Sequence, residues 1–260
     1  MSIPSEHPKT REGDWAQPVD RLKVAGVQAG GVNLNVDGRR VTGPVQGFGQ
    51  MWQKTYTIRL AGSPVTPQEV IQGWKENFAS FWPGNNRFYG QPAADAGKPA
   101  AISAGQVAVL NLAGPGGINV PGGGPLISTG IMVIYADDVS FSFMTPQGHM
   151  FAGMITFSAS RDGNDTLAQI QLLVRASDPL YEMMLRLGIG HKMEDDFWKQ
   201  TLRNLSAHFK APGSEPQLRM ALVDPRLQWR EAKNIWHNAA IRTTFYTLAT
   251  PFRWLGKKLQ

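Results

Sequence analysis

The chain has 260 residues, no cysteine, 42% apolar residues and a net charge of +6. That length buries a substantial core, as one large domain or one domain with extensions, and the missing cysteines exclude a disulfide framework, a thiolate zinc site and a cysteine nucleophile. The charge is uneven: Gln217–Gln260 carries 8 Lys and Arg against 2 Asp and Glu, whereas Met1–Pro216 carries 18 of each, and with no zinc-finger, RNP or helix-turn-helix pattern no nucleic-acid partner is expected.

At the N-terminus, Met1 to Pro18 has no apolar stretch between its charges, which argues against a secretory signal and for a cytoplasmic address. Val32–Val36 alternates and Asp37-Gly38 is a two-residue turn signal, so Val32–Val36 and Arg39–Thr42 are expected to form a β-hairpin in an extension over residues 1–46. Trp52–Leu60 reads as a strand with Trp52, Lys54, Tyr56, Ile58 and Leu60 on one side. Thr66, Pro67 and Glu69 make a capping box, and Val70, Trp74, Phe78, Phe81 and Trp82 recur at three and four, predicting a helix from Pro67 to about Phe81 that ends at Pro83-Gly84-Asn85-Asn86.

Five more strands follow at Gln106–Ala113, Leu126–Tyr135, Val139–Met144, Met150–Ala159 and Thr166–Ala176. They are separated by the glycine-rich loop Gly114–Pro125 and by turns at Asp137-Asp138, Pro146-Gln147-Gly148 and Asp162–Asp165. Pro99 to Ala136 carries no charge, yet its run of glycines and prolines breaks it well short of the ~20 apolar residues of a membrane span. The period then changes. Ser177 or Asp178 can cap a helix with Pro179 near its start, and Leu180, Met184, Leu187, Phe197, Trp198, Leu202, Leu205 and Phe209 predict a long helix over Pro179–Phe209, kinked or broken at Gly188 and Gly190. In the tail, apolar residues from Ile241 recur at three and four, and Thr250-Pro251 starts a second short helix.

Strand, helix, several strands and a long helix make an α+β chain of the helix-grip plan: a curved antiparallel sheet receiving a C-terminal helix over residues 47–212, between the N-terminal hairpin extension and a basic amphipathic helical tail over residues 213–260. Phe143, the string Thr145-Pro146-Gln147-Gly148-His149-Met150-Phe151-Ala152-Gly153, Phe157 and the entry Ala176-Ser177-Asp178-Pro179 resemble bacterial proteins of the DUF1990 type, which look like members of the START and Bet v 1-like (SRPBCC) superfamily. The resemblance spans roughly Gly47 to Lys210. It implies the fold and a binding cavity, and it transfers no catalytic residue.

The cavity expected between sheet and helix is lined by Phe141 and Phe143, by Ile170 and Leu172, and by Met184, Leu187, Phe197 and Trp198, with Tyr135 and His149 at its mouth; the bland alternative is a solid core. His149 can bind a ligand oxygen or act as a general base, and the simpler reading is that it fixes its turn through a backbone hydrogen bond. Arg175 reads as a solvated strand end or a mouth residue. His191, Glu194 and Asp195 have helical spacing but no second cluster, so they are expected to form a charged solvent face, with no metal and no cofactor. No GxSxG elbow is present, and the glycine loop fits no phosphate motif. Trp229, Trp236, Arg242, Phe245, Phe252, Arg253, Lys257 and Lys258 give the tail the pattern of an interfacial membrane segment, or equally of a helix docked on its own domain or a partner.

These readings lead to a non-catalytic binder of an apolar or amphipathic small molecule, lipid, polyketide or isoprenoid-like. The rivals are an enzyme of the polyketide cyclase or hydrolase kind using His149 with Tyr135 or Arg175, and a scaffold with a packed core and a partner- or membrane-docking tail.

Overall fold

A computed structural model describes residues 11–26, 30–91, 100–114, 124–211 and 213–249. The middle of the glycine loop, the helix start at Thr250-Pro251, and Phe252, Arg253, Lys257 and Lys258 lie outside these residues. The alternating segments form one antiparallel sheet of β1 (Val41–Thr42), β2 (Met51–Leu60), β3 (Arg87–Tyr89), β4 (Val107–Leu112), β5 (Ile127–Ala136), β6 (Ser140–Pro146), β7 (Phe151–Asp162), β8 (Asp165–Ala176) and β9 (Gln217–Asp224). Their order is β3-β4-β5-β6-β7-β8-β2-β9, with β1 on β6. The run β4 to β8 is the expected meander. β2 pairs along its whole length with β8, Met51 opposite Arg175 and Leu60 opposite Thr166, so the first long strand closes on the last strand of the meander.

The helices are α1 (Pro67–Glu76), α2 (Pro179–Arg186), α3 (Ile189–His208) and α4 (Ala239–Leu248). The capping box forms at α1: Thr66 Oγ1 accepts from the Glu69 N–H at 3.2 Å, and the Glu69 carboxylate accepts from the Thr66 N–H at 2.7 Å. Asp178 caps α2 by accepting from the Leu180 and Tyr181 N–H groups. The long helix breaks where its glycines said it would, because Gly188 takes φ +76, left-handed backbone that ends α2 and lets α3 leave in a new direction. α1 packs on β7 and β8, and α3 on β2. The concave face supplies Ile131, Val133, Phe141, Phe143, Ile155, Phe157, Ile170 and Leu172 to one core with Trp74, Phe78, Leu202 and Leu205. This is the helix-grip architecture. Each such side chain withdrawn from water contributes about 1.5–3 kcal/mol, so the concave face dominates folding.

Two local expectations change. Asp37-Gly38 forms its turn, with the Arg39 N–H on the Val36 carbonyl at 3.0 Å, but Val32–Val36 is no strand. The segment instead folds back on Leu22, whose N–H meets the Arg39 carbonyl while its own carbonyl accepts from Gly38. Leu22 and Val36 then cover Val107, Val109 and Met132 in a second core on the convex face. A single hairpin has too little to bury, and covering this face supplies it. The other change is in the tail, where Gln217–Asp224 is a strand on the outer side of β2, followed by a 3₁₀ segment, Trp229–His237, and then α4.

α4 is held against the domain. Asn238 caps it by accepting from the Ile241 N–H and also donates to Asp178, while Ala239 and Thr243 are buried. No helix among the described residues is long and apolar enough to cross a membrane.

Candidate ligand-binding site

A cavity of about 790 Å³ lies between the concave face and the α2–α3 elbow. The other half of that face is closed, because Trp74 of α1 sits against Phe157 and Phe141 at ring separations of 5.2 and 6.0 Å, and Phe78 packs on Phe157 at 5.2 Å. The open half is walled by Leu110, Ile131, Phe143, Ile155, Leu172 and Val174 from the sheet, by Met184 and Leu185 of α2, and by Met193, Phe197 and Trp198 of α3. The part-exposed Lys199 and Gln200 and the exposed Arg203 line its opening. The volume falls in the range of small-molecule pockets and the wall is mostly apolar.

Of the residues expected to line it, the structure brings together Phe143, His149, Leu172, Met184, Phe197 and Trp198. Phe141 and Ile170 share the concave face but lie in the half filled by α1, fully buried in solid core. Leu187 is 67% exposed, because the helix ends at Arg186 and the break turns Leu187 outward. Tyr135 lies on the convex side. β5 pairs Val133 with Phe143 but then Tyr135 with Ser142, and this one-residue bulge flips the face Tyr135 presents. Its ring packs on Trp15 at 4.6 Å, and its hydroxyl donates to Asp137. Arg175 is neither solvated nor at the mouth. It is 2% exposed, donating to the Gly49 and Arg226 carbonyls and to the Asp224 carboxylate, and so ties β8 to β9.

His149 stands on the cavity wall and also fixes its turn. Nδ1 stands 3.0 Å from the Phe151 nitrogen and 3.1 Å from the Phe151 carbonyl oxygen, accepting from the first in one tautomer and donating to the second in the other. Burial pushes its pKa down to about 4, and the backbone bond to Phe151 only partly opposes this. The turn before it is tight: Gly148 has φ +93, and a Cβ there would stand 2.0 Å from the His237 carbonyl oxygen. Gly153 is fixed likewise, by the Leu173 carbonyl at 2.3 Å from where its Cβ would be.

The His191, Glu194 and Asp195 group turns inward rather than out to solvent. Glu194 is 8% exposed and lines the cavity, with Oε2 2.7 Å from Nζ of the fully buried Lys54. Asp195 Oδ1 accepts from the same Nζ at 2.7 Å and from the Tyr56 hydroxyl at 2.6 Å. Burial pushes the Glu194 carboxyl up, against the pull of Lys54. The His191 ring packs edge-on against Trp52 at 5.1 Å, and burial and then Lys54 push its pKa down. No cluster of three metal-ligating side chains occurs among the described residues. Lys54 carried a readable signal, since it falls on the inward side of an apolar strand and an inward lysine needs a buried acid.

No protein-family model matches the chain, and no curated protein matches its sequence. Solved structures similar in fold include a START superfamily protein from Mycobacterium smegmatis, at 20% identity and a TM-score of 0.38, covering 62% of this chain and 98% of that one. Another is ginseng major latex-like protein 151 from Panax ginseng, at 14% identity and 0.37, covering 62% and 99%. A third, the di-domain ARO/CYC StfQ from the steffimycin biosynthetic pathway, has 8% identity and a TM-score of 0.43, covering 62% and 51%. With scores this low, the likenesses bear on neither ligand nor activity.

Proposed function

We propose that this protein binds an apolar or amphipathic small molecule between the concave face of its sheet and the α2–α3 elbow, without transforming it. The observation that carries the reading is the cavity of about 790 Å³ with Leu110, Ile131, Phe143, Leu172, Val174 and Trp198 in its wall. Interiors are normally close-packed, and space of this size walled by apolar side chains is what a ligand would fill. The candidate partners of an enzymatic His149 are engaged elsewhere, Tyr135 on the convex face and Arg175 in the β8–β9 tie, which favours carriage over catalysis. The narrower likeness to DUF1990-type proteins belongs to the same reading, supported by the Gly148-His149 turn and Gly153, and it adds no activity.

Native mass spectrometry of protein purified from its own host, followed by solvent extraction, tests the proposal. A bound apolar molecule is expected, and Val174→Trp, which fills the cavity, is expected to lower its occupancy at least tenfold. A chain that emerges empty and takes up no apolar probe would end the reading.

A second element of the proposal is contact with an anionic membrane through the tail. Trp229, Trp236 and Phe245 are 73%, 80% and 69% exposed, and Arg230, Lys233 and Arg242 stand among them. Docking of α4 through Ala239 and Thr243 leaves Phe245 outward, and Trp229 and Trp236 stand outward on the preceding 3₁₀ segment, as an interfacial segment would present them. Co-sedimentation with phosphatidylserine-containing vesicles is expected, weakened several-fold by Trp236→Ala with Phe245→Ala; equal sedimentation of this variant would count against it.

A further inference from the structure

Glu194 is a polar group on the cavity wall that its surroundings leave unfinished, as they also leave the indole N–H of Trp82. Its side chain is more than nine-tenths buried, and Oε1 has no hydrogen-bond partner among the described residues, although Oε2 lies 2.7 Å from Lys54 Nζ. That ammonium is shared, since Asp195 Oδ1 stands at the same distance and is further held by the Tyr56 hydroxyl. One cation therefore faces two carboxylates. Asp195, part-exposed and hydrogen-bonded, suffices to balance Lys54, so Glu194 brings a surplus acid to an apolar wall. An unbalanced buried carboxylate must either hold a proton or meet a cation. The charged groups acting on it are Lys54 and Asp195, and His149, on the same wall, is neutral. One turn further along α3, Phe197 and Trp198 line the cavity with rings 4.7 Å apart, and Trp82 packs on Phe197 at 5.1 Å. Aromatic faces beside a desolvated carboxylate are the surroundings that recognise an ammonium group.

We infer that the ligand is a cationic amphiphile, an apolar body carrying a protonated amine, with Glu194 as the residue that binds the amine and selects for it. This rests on the cavity reading above and names its substrate class. Anionic amphiphiles such as fatty carboxylates are disfavoured by the same surplus acid.

Displacement of the neutral apolar fluorophore N-phenyl-1-naphthylamine from the full chain at neutral pH, by decylamine, decanol and decanoate, tests it. Decylamine is expected to displace the probe at a concentration at least tenfold below decanol, with decanoate weakest. Glu194→Gln is expected to bring decylamine to within about twofold of decanol. If that variant fails to fold, Asp195→Asn replaces it: Lys54 then draws on Glu194 alone, and the amine preference is expected to fall. Decanol or decanoate matching decylamine in the unaltered protein, or an amine preference that survives these substitutions, overturns the inference. Failure of the unaltered protein to take up the probe at all would instead sink the cavity reading on which it rests.

Discussion

At the scale of single residues, the polar groups with consequences are those drawn out of water. His149 has its pKa lowered from about 6.5 when unfolded to about 4 when folded. Between these values the unfolded chain binds the extra proton, so stability is complete above pH 6.5 and falls as pH drops toward 4, by up to about 3 kcal/mol. His149→Asn keeps an acceptor for the Phe151 N–H but cannot titrate. Denaturant unfolding at pH 7 and pH 4.5 is expected to show a loss for the unaltered protein that exceeds the variant's by about 2–3 kcal/mol; equal losses would place His149 in contact with water. The sequence singled out His149 by its turn, and turn-fixing and a place on the cavity wall were both readable there. It gave no comparable notice to Glu194, because i, i+3 and i+4 spacing on a helix says nothing of which face is covered until β2 is laid beneath it.

Among the elements, the junction of α2 with the tail is the most tightly specified. Asp178 Oδ1 accepts from the Leu180 and Tyr181 N–H groups, while Oδ2 accepts from Asn238, which caps α4. One carboxylate therefore links the N-termini of two helices. Asp178→Ala removes a cap and leaves a buried amide without its acceptor, and is expected to lower unfolding free energy by about 2–4 kcal/mol, more than the ~1 kcal/mol of an isolated cap. Thermal unfolding measures the difference, and a loss no larger than an ordinary cap would show that the Asn238 link contributes nothing. The cap at α2, like the capping box at α1, is local chemistry and was legible in the sequence. The partner of Asp178 was not, since Asn238 lies 60 residues away and the cap residue looks complete without it.

For the whole molecule, the tail as far as Leu248 is held against the sheet and α2. β9 completes the edge of the sheet beside β2, and Arg175, 2% exposed, relies on Asp224 and the Arg226 carbonyl. Deleting residues 217–260 uncovers the β2 edge and strands a buried guanidinium, so the truncated chain is expected to lose its cooperative melting transition and to aggregate on size-exclusion chromatography. A monomer of unchanged melting temperature would show the tail to be detachable. Asp224 also sets an acid limit: the Arg226 and Arg175 guanidiniums hold its carboxyl well below the usual carboxylate range, so the stability it supplies is present above about pH 4 and is lost as pH falls below that. The strand character of Gln217–Asp224 escaped sequence reading because its residues are almost all exposed and carry no alternation to read. Its β state comes from the open edge of β2, a long-range fact.

Taken alone, the sequence determined what depends on near neighbours along the chain: the five meander strands with their turns, the capping box, a cap at Ser177 or Asp178, a kink or break at Gly188 and Gly190, and from their order the helix-grip plan. Tertiary structure decided what depends on distant segments meeting. It placed Phe141 in solid core and Phe143 on a cavity wall, two residues apart on one strand, because α1 covers one half of the concave face and leaves the other open. It turned Tyr135 to the convex side through a one-residue bulge, and it drew Glu194 inward onto Lys54. Periodicity reports which face a residue takes while the local repeat holds. Whether that face meets a side chain, an empty space or an opposite charge is set by another part of the chain.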